Sequence, residues 1–131
     1  MWIMTNKSFL SVVANRDDEK TLLVRARLAG HIESVFPDAK IFYKTGSDYL
    51  YRALIPREQV AQVIAKQITE INYDNFKNSV KNRPYHDALL GIWTIMYRLQ
   101  DAFAPKAKAK AKHIHLDSGE GIDNFINHTV A

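Results

Sequence analysis

The chain has 131 residues, no cysteine, 47% apolar and 24% charged residues, and a formal net charge of +4. That length carries one core and is short for two, the composition is that of a folded chain, and the missing thiols exclude a disulfide-stapled miniprotein and any thiolate metal site. The basic balance favours anionic partners without selecting among nucleotide, nucleic acid and acidic protein.

The opening "MWIMTNKSFL" is apolar only in patches, broken by Thr5, Asn6, Lys7 and Ser8, so it lacks the core of a signal peptide. No apolar run approaches the roughly 20 residues that cross a bilayer. A cytoplasmic protein with no membrane association is therefore expected. "SFLSVVA" (8–14) and "TLLVRARL" (21–28) are rich in β-formers and flank the polar "NRDDEK", which predicts a hairpin. In the second strand Leu22, Val24, Ala26 and Leu28 face one side, and Leu23, Arg25 and Arg27 the other. "GHIESVF" reads as a short helix closed by Pro37. "AKIFYK" and "DYLYRALI" read as two strands around a turn at Gly46.

Pro56 opens a helix in which Val60, Val63, Ile64, Ile68 and Ile71 recur at helical spacing. "YDNFK" (73–77) follows, with Asp74 as the expected cap of a second helical stretch ending near Asn82. Pro84 starts a third helix, whose stripe of Leu89, Ile92, Trp93, Met96, Leu99 and Phe103 is expected to face the core. The order of elements predicts an α+β fold, with an antiparallel four-stranded sheet covered on one face by helices. One domain is expected over residues 1–104. Residues 105–131, with Lys106, Lys108, Lys110 and Lys112 alternating with alanines, form a basic linker and C-terminal tail.

Several groups carry possible chemistry. His113 and His115, with Asp117 close by, have the look of metal ligands, but the histidine pair lacks a third ligand at suitable spacing, so solvated tail histidines and no metal are expected. His86 and Asp87 diverge by about 100° on a helix, and Asp87 is accounted for as a first-turn acid. No Gly-rich phosphate loop, serine elbow or metal-helix motif is present, so an enzyme is not expected, and neither is a cofactor. Arg25 and Arg27 present two planar forks on one strand face, suited to a phosphate. The alternative is a pair of solvated arginines neutralised by Asp17, Asp18 or Glu19. Tyr43, Tyr49 and Tyr51 add aromatic surface that suits a flat base. Phe76 offers a stacking ring, Asn75 a two-way hydrogen-bonding group, and Arg98 a further charge outside the apolar stripe.

The segments "MWIMT", "LLVRAR", "DYLYRALI", "NYDNFK" and "YHDALLGIWTIMYRLQ" together resemble a family of small bacterial and phage proteins over about the first 100 residues. The best match is the first family of Thoeris anti-defence proteins. The resemblance implies a non-catalytic sponge: a bacterial TIR-domain enzyme makes a cyclic ADP-ribose signal, and the phage protein sequesters it before an immune effector responds. It also implies a homo-oligomer with recessed pockets between protomers. By position it assigns Arg25 or Arg27 to pyrophosphate, Phe76 to stacking on adenine and Arg98 to phosphate or ribose. The Lys-Ala tail departs from that family. Two other functions fit the residues: a protein-binding inhibitor of a defence complex, such as an anti-CRISPR, and a nucleic-acid-binding accessory protein that uses the lysine run.

Overall fold

The computed structural model describes residues 1–105, which fall into two units, Met1–Lys81 and a second beginning at Asn82. The first unit is built on an antiparallel sheet of five strands, β1 (Trp2–Met4), β2 (Phe9–Ala14), β3 (Thr21–Ala26), β4 (Phe42–Tyr43) and β5 (Tyr51–Pro56), in the order β1-β2-β3-β5-β4. The class is the expected α+β, with one strand more than expected. The added strand is β1. Thr5 folds the chain back onto β2: its Oγ1 accepts from the Lys7 and Ser8 amides at 3.2 and 3.0 Å, and its own amide donates to Ser8 O at 2.8 Å. Three residues are too few to show the alternation by which a strand is read from sequence.

The β2–β3 hairpin closes through its polar loop. Asn15 Oδ1 accepts from the Asp17 amide, Asp18 Oδ1 accepts from the Lys20 amide, and Asn15 Nδ2 donates to Thr21 Oγ1 at 2.7 Å. These Asx turns fix the register Ser11↔Arg25, Val12↔Val24 and Val13↔Leu23. Between β4 and β5 the turn passes through Gly46 at φ 78°, a left-handed conformation that glycine adopts without steric cost.

One face of the sheet holds the core: Leu10 and Val12, Val24 and Ala26, Ala53 and Ile55, packed with Ile32, Val35, Phe36 and Val60. Leu28, expected to extend this inward row, lies past the end of β3 and is exposed. The "GHIESVF" segment is a run of turns, not the expected helix. Its amide bonds are Ser34 to Gly30 O at 3.0 Å, Val35 to Ile32 O at 3.1 Å and Phe36 to Ile32 O at 2.8 Å. Gly30 at φ 85° and Pro37 leave too few residues between them to repay helix nucleation, and Ile32, Val35 and Phe36 turn into the core instead.

Helix α1 (Arg57–Thr69) follows Pro56 as expected. Val60 is buried and Val63 and Ile64 pack on the core, but Ile68 and Ile71 are exposed. Helix α2 is a single turn, Phe76–Ser79, shorter than expected and capped by Asn75 instead of Asp74: Asn75 Oδ1 accepts from the Asn78 amide at 3.0 Å. In the second unit, Asn82 caps α3 (Arg83–Phe103) by accepting from the Tyr85 amide at 3.0 Å. Of the stripe expected to face the core, only Leu89 is buried; Ile92 and Leu99 are half-buried, and Trp93, Met96 and Phe103 are exposed. A helical repeat tells which residues share a face, and nothing about what covers it. Among the described residues no helix is long and apolar enough to cross a membrane.

His31 joins the turn segment to the sheet: the Phe9 amide donates to its Nδ1 at 3.0 Å. Burial, the largest influence, lowers the His31 pKa, with the Glu33 charge acting against it. The folded pKa lies below the unfolded one, so the unfolded chain takes up the proton more readily. The stability this group contributes is present above the unfolded pKa and is lost as pH falls through the folded value. The urea midpoint should therefore drop between about pH 7 and pH 5, and His31→Asn, which keeps an acceptor near the Nδ1 position, should flatten that dependence.

Candidate functional site

The face of the sheet opposite the core carries the charge. Alternation on β3 puts Arg25 there, and the register sets it between Ser11 on β2 and Arg52 on β5. Arg27, one residue beyond β3, continues the same row. Tyr49, buried just before β5, is the hub. The Arg25 guanidinium carbon lies 4.5 Å from its ring centroid and that of Arg27 4.1 Å. Arg52 Nε donates to the Tyr49 carbonyl at 3.2 Å, and Arg52 pairs with Asp48 at 3.8 Å.

Arg25 is held on two sides and unsatisfied on a third. Its Nη2 donates to Ser11 Oγ at 2.8 Å, where Ser11 is 1% exposed. Its Nε is buried and makes no hydrogen bond. Arg27 also lies over Phe9, with its guanidinium carbon 5.6 Å from the ring centroid, and Phe9 meets the indole of Trp2 edge-on at 5.6 Å. Trp2, Phe9, Arg27, Tyr49, Arg25 and Ser11 thus form one connected strip.

Neither Arg25 nor Arg27 is in an ion pair among the described residues; Asp17, Asp18 and Glu19 do not neutralise them. Two guanidiniums so close to one ring lie within about 9 Å of each other, and their repulsion is roughly 0.5–2 kcal/mol over the effective dielectric range from water to protein surface. An anion between them removes that cost and gains charge-assisted hydrogen bonds from the guanidinium N–H groups that face solvent. Arginine stays protonated at all ordinary pH, so these groups bind and polarise but do not act as bases.

The other expected residues lie as follows. Asn75 and Phe76 are adjacent at the start of α2. Phe76 is half-buried and meets Tyr73 edge-on at 5.9 Å, and Asn75 is engaged as the helix cap. Neither touches Arg25 or Arg27 through a hydrogen bond or ring contact. Arg98 is exposed on α3, in the second unit. Tyr43 and Tyr51 pair edge-on at 5.5 Å, and Tyr51 packs against the core cluster on the opposite face, so of the three tyrosines only Tyr49 joins the arginines. His86 and Asp87 do meet, Nδ1 to Oδ1 at 3.2 Å, although successive helix positions diverge; Asp87 also pairs with Arg83 at 3.3 Å. His113, His115, Asp117 and the lysine run lie outside the described residues. Among the described residues no three His, Asp or Glu side chains gather around a point where a metal ion would sit.

Ser11, Phe9 and Arg52 were not singled out by sequence. Ser11 was not within reach either, because a hairpin closed evenly about "NRDDEK" sets Ser11 opposite Val24, one residue off the observed pairing with Arg25. Arg52 and Tyr49 depend on the non-consecutive pairing of β3 with β5, which local pattern does not specify. A separate groove of about 680 Å³ runs beside β1, with Lys7 and Glu70 among its lining, a balance that does not select an anion. No family model, curated protein or solved structure matches this chain, so its function is argued from its own residues.

Proposed function

We propose that the chain is a non-catalytic binder that holds a nucleotide-type anion on the arginine face of its sheet. The observation that carries this reading is the pair Arg25 and Arg27, both on the Tyr49 ring and neither in an ion pair. Joined to the resemblance to Thoeris anti-defence proteins, it makes the ligand a cyclic nucleotide of the cyclic ADP-ribose type. The role is then counter-defence: the bound signal no longer reaches a bacterial immune effector. Sequestration needs stacking and charge-assisted hydrogen bonds without an activated water, and the strip supplies the first two. It works by mass action, provided that the protein is abundant and its dissociation constant lies below the effector's threshold. The resemblance adds Phe76 as a stacking ring and Arg98 as a phosphate or ribose contact, and Asn75 keeps its amide donors for a base edge.

Calorimetric titration with cyclic ADP-ribose, followed by chromatography of the recovered ligand, tests this. The wild type should bind and return the ligand unchanged. Arg27→Ala, which removes an exposed side chain at the end of a strand, should weaken binding about 10- to 100-fold. Absence of binding, or conversion of the ligand, would refute the reading.

A further inference from the structure

The sheet ends on β1, and among the described residues no strand pairs with its outer edge. The Met1 ammonium donates to Val12 O at 2.7 Å, the Val12 amide donates to Met1 O at 2.8 Å, and the Thr5 amide donates to Ser8 O at 2.8 Å. Bonded and non-bonded pairs alternate along an antiparallel ladder, so Ile3 turns its backbone toward Leu10. Trp2 and Met4 then turn their N–H and C=O groups out of the sheet. Residues 2–5 contain no charge and no proline, the usual protections of an edge strand. Beside this edge runs the 680 Å³ groove, walled by Val35, Ile64, Ile68, Ile71 and Tyr73. The flanking apolar groups are open to solvent: Trp2 is 64%, Ile68 62% and Ile71 50% exposed.

We propose that β1 pairs antiparallel with β1 of a second copy of this chain, about a twofold axis at Ile3. The backbone fixes this register for self-pairing, and the uncharged side chains of residues 2–5 admit a second copy as the partner. With Ile3 opposite Ile3, Trp2 of each copy faces Met4 of the other, and the two outward N–H and two outward C=O groups of each copy are all satisfied by four hydrogen bonds. A shift of one residue sets an outward-facing residue against an inward-facing one, and a shift of two leaves groups unpaired at the ends. Residues 2–5 are uncharged, so self-pairing places no like charges opposite each other. Trp2 and Met4 share the sheet face opposite the core, so each indole comes beside a thioether, a favourable contact. On the other face the two Ile3 side chains meet next to the exposed Ile68 and Ile71. The pairing is short, with four backbone hydrogen bonds, which makes the dimer reversible and concentration-dependent. This dimer does not depend on the anion reading, and either stands if the other fails.

Sedimentation between about 10 and 300 µM, a range chosen for a weak dimer, reads the association directly. Met4→Pro removes an outward donor together with the thioether that faces Trp2 of the other copy, and leaves the β1–β2 ladder intact, since proline is tolerated on an edge where its nitrogen faces solvent. It should weaken dimerisation at least about tenfold while the thermal midpoint is kept. A second readout uses the absence of native cysteine. In the proposed register the two Ile3 Cα atoms are about 4.5 Å apart, within disulfide range, so Ile3→Cys should give a covalent dimer on oxidation. Trp2→Cys, which faces Met4 of the other copy, should not. A wild type that stays monomeric throughout overturns the proposal, including the case in which a strand of a different protein takes this edge. So does a dimer insensitive to Met4→Pro, or equal cross-linking at positions 2 and 3.

Discussion

Replacing Arg25 by Met and Ser11 by Ala together should leave the fold about as stable as the wild type while removing most of the ligand affinity. The guanidinium is a mixed asset to the folded state. Its buried, unbonded Nε costs about 1–3 kcal/mol, whereas its position over Tyr49 returns roughly 0.5–2 kcal/mol. Methionine keeps the stem's packing without the unsatisfied donor, and alanine at position 11 avoids leaving the Ser11 hydroxyl without the bond it now makes to Arg25. The net change in stability should lie within about 1 kcal/mol. Arg25→Met alone, which strands that hydroxyl in a site 1% exposed, should be the less stable variant by about 1–3 kcal/mol. Affinity behaves differently. A guanidinium that makes two charge-assisted hydrogen bonds to a phosphate accounts for about 3–6 kcal/mol, so its loss weakens binding at least about 100-fold. Urea midpoints and calorimetric affinities separate the two effects. A double variant that unfolds several kcal/mol more easily would make Arg25 a structural residue.

Phe36→Ala should have the largest effect on stability. Phe36 is 1% exposed, the largest of the fully buried side chains, and it holds the turn segment against the sheet. Removing a buried phenylalanine costs about 3–5 kcal/mol from lost transfer and an unfilled cavity. Domains of this size are stable by about 5–15 kcal/mol, so the loss is a large share of the total. The urea midpoint should fall with little change in slope. Leu54→Ala, on the arginine face and half exposed, should change it by less than about 1 kcal/mol. Equal effects from the two would contradict the assignment of the core to the other face.

These two variants probe the two sides of β3, and that division was legible in the sequence. Strict alternation through "LLVRAR" separates Val24 and Ala26 from Arg25 and Arg27 without any knowledge of the partner strands. The hub was not legible. Tyr49 reaches the arginines because β3 pairs with β5 across a long connection, and three nearby tyrosines look alike until the register turns Tyr51 to the core. β1 escaped because its three residues carry no detectable period, and the helix read from "GHIESVF" failed because a positive-φ glycine and core anchoring outweighed local propensity. At "YDNFK", Asp74 and Asn75 are equally good caps by residue type. The backbone decides between them, since the cap must reach the amide three residues on, and that amide belongs to Asn78. On α3 the stripe identified a face correctly, but its exposure follows from what packs there, a tertiary fact.

The most direct measurement is a side-chain spectrum. Proton–nitrogen correlation of the arginine Nε–H groups, recorded while cyclic ADP-ribose is added, reports on the donor that the fold leaves unsatisfied. The Arg25 and Arg27 signals should move together and saturate at one ligand per chain, with the ligand chemically intact. Signals that stay in place while others in the protein shift, or a spectrum that does not change at all, would contradict the assignment of this face as the binding site.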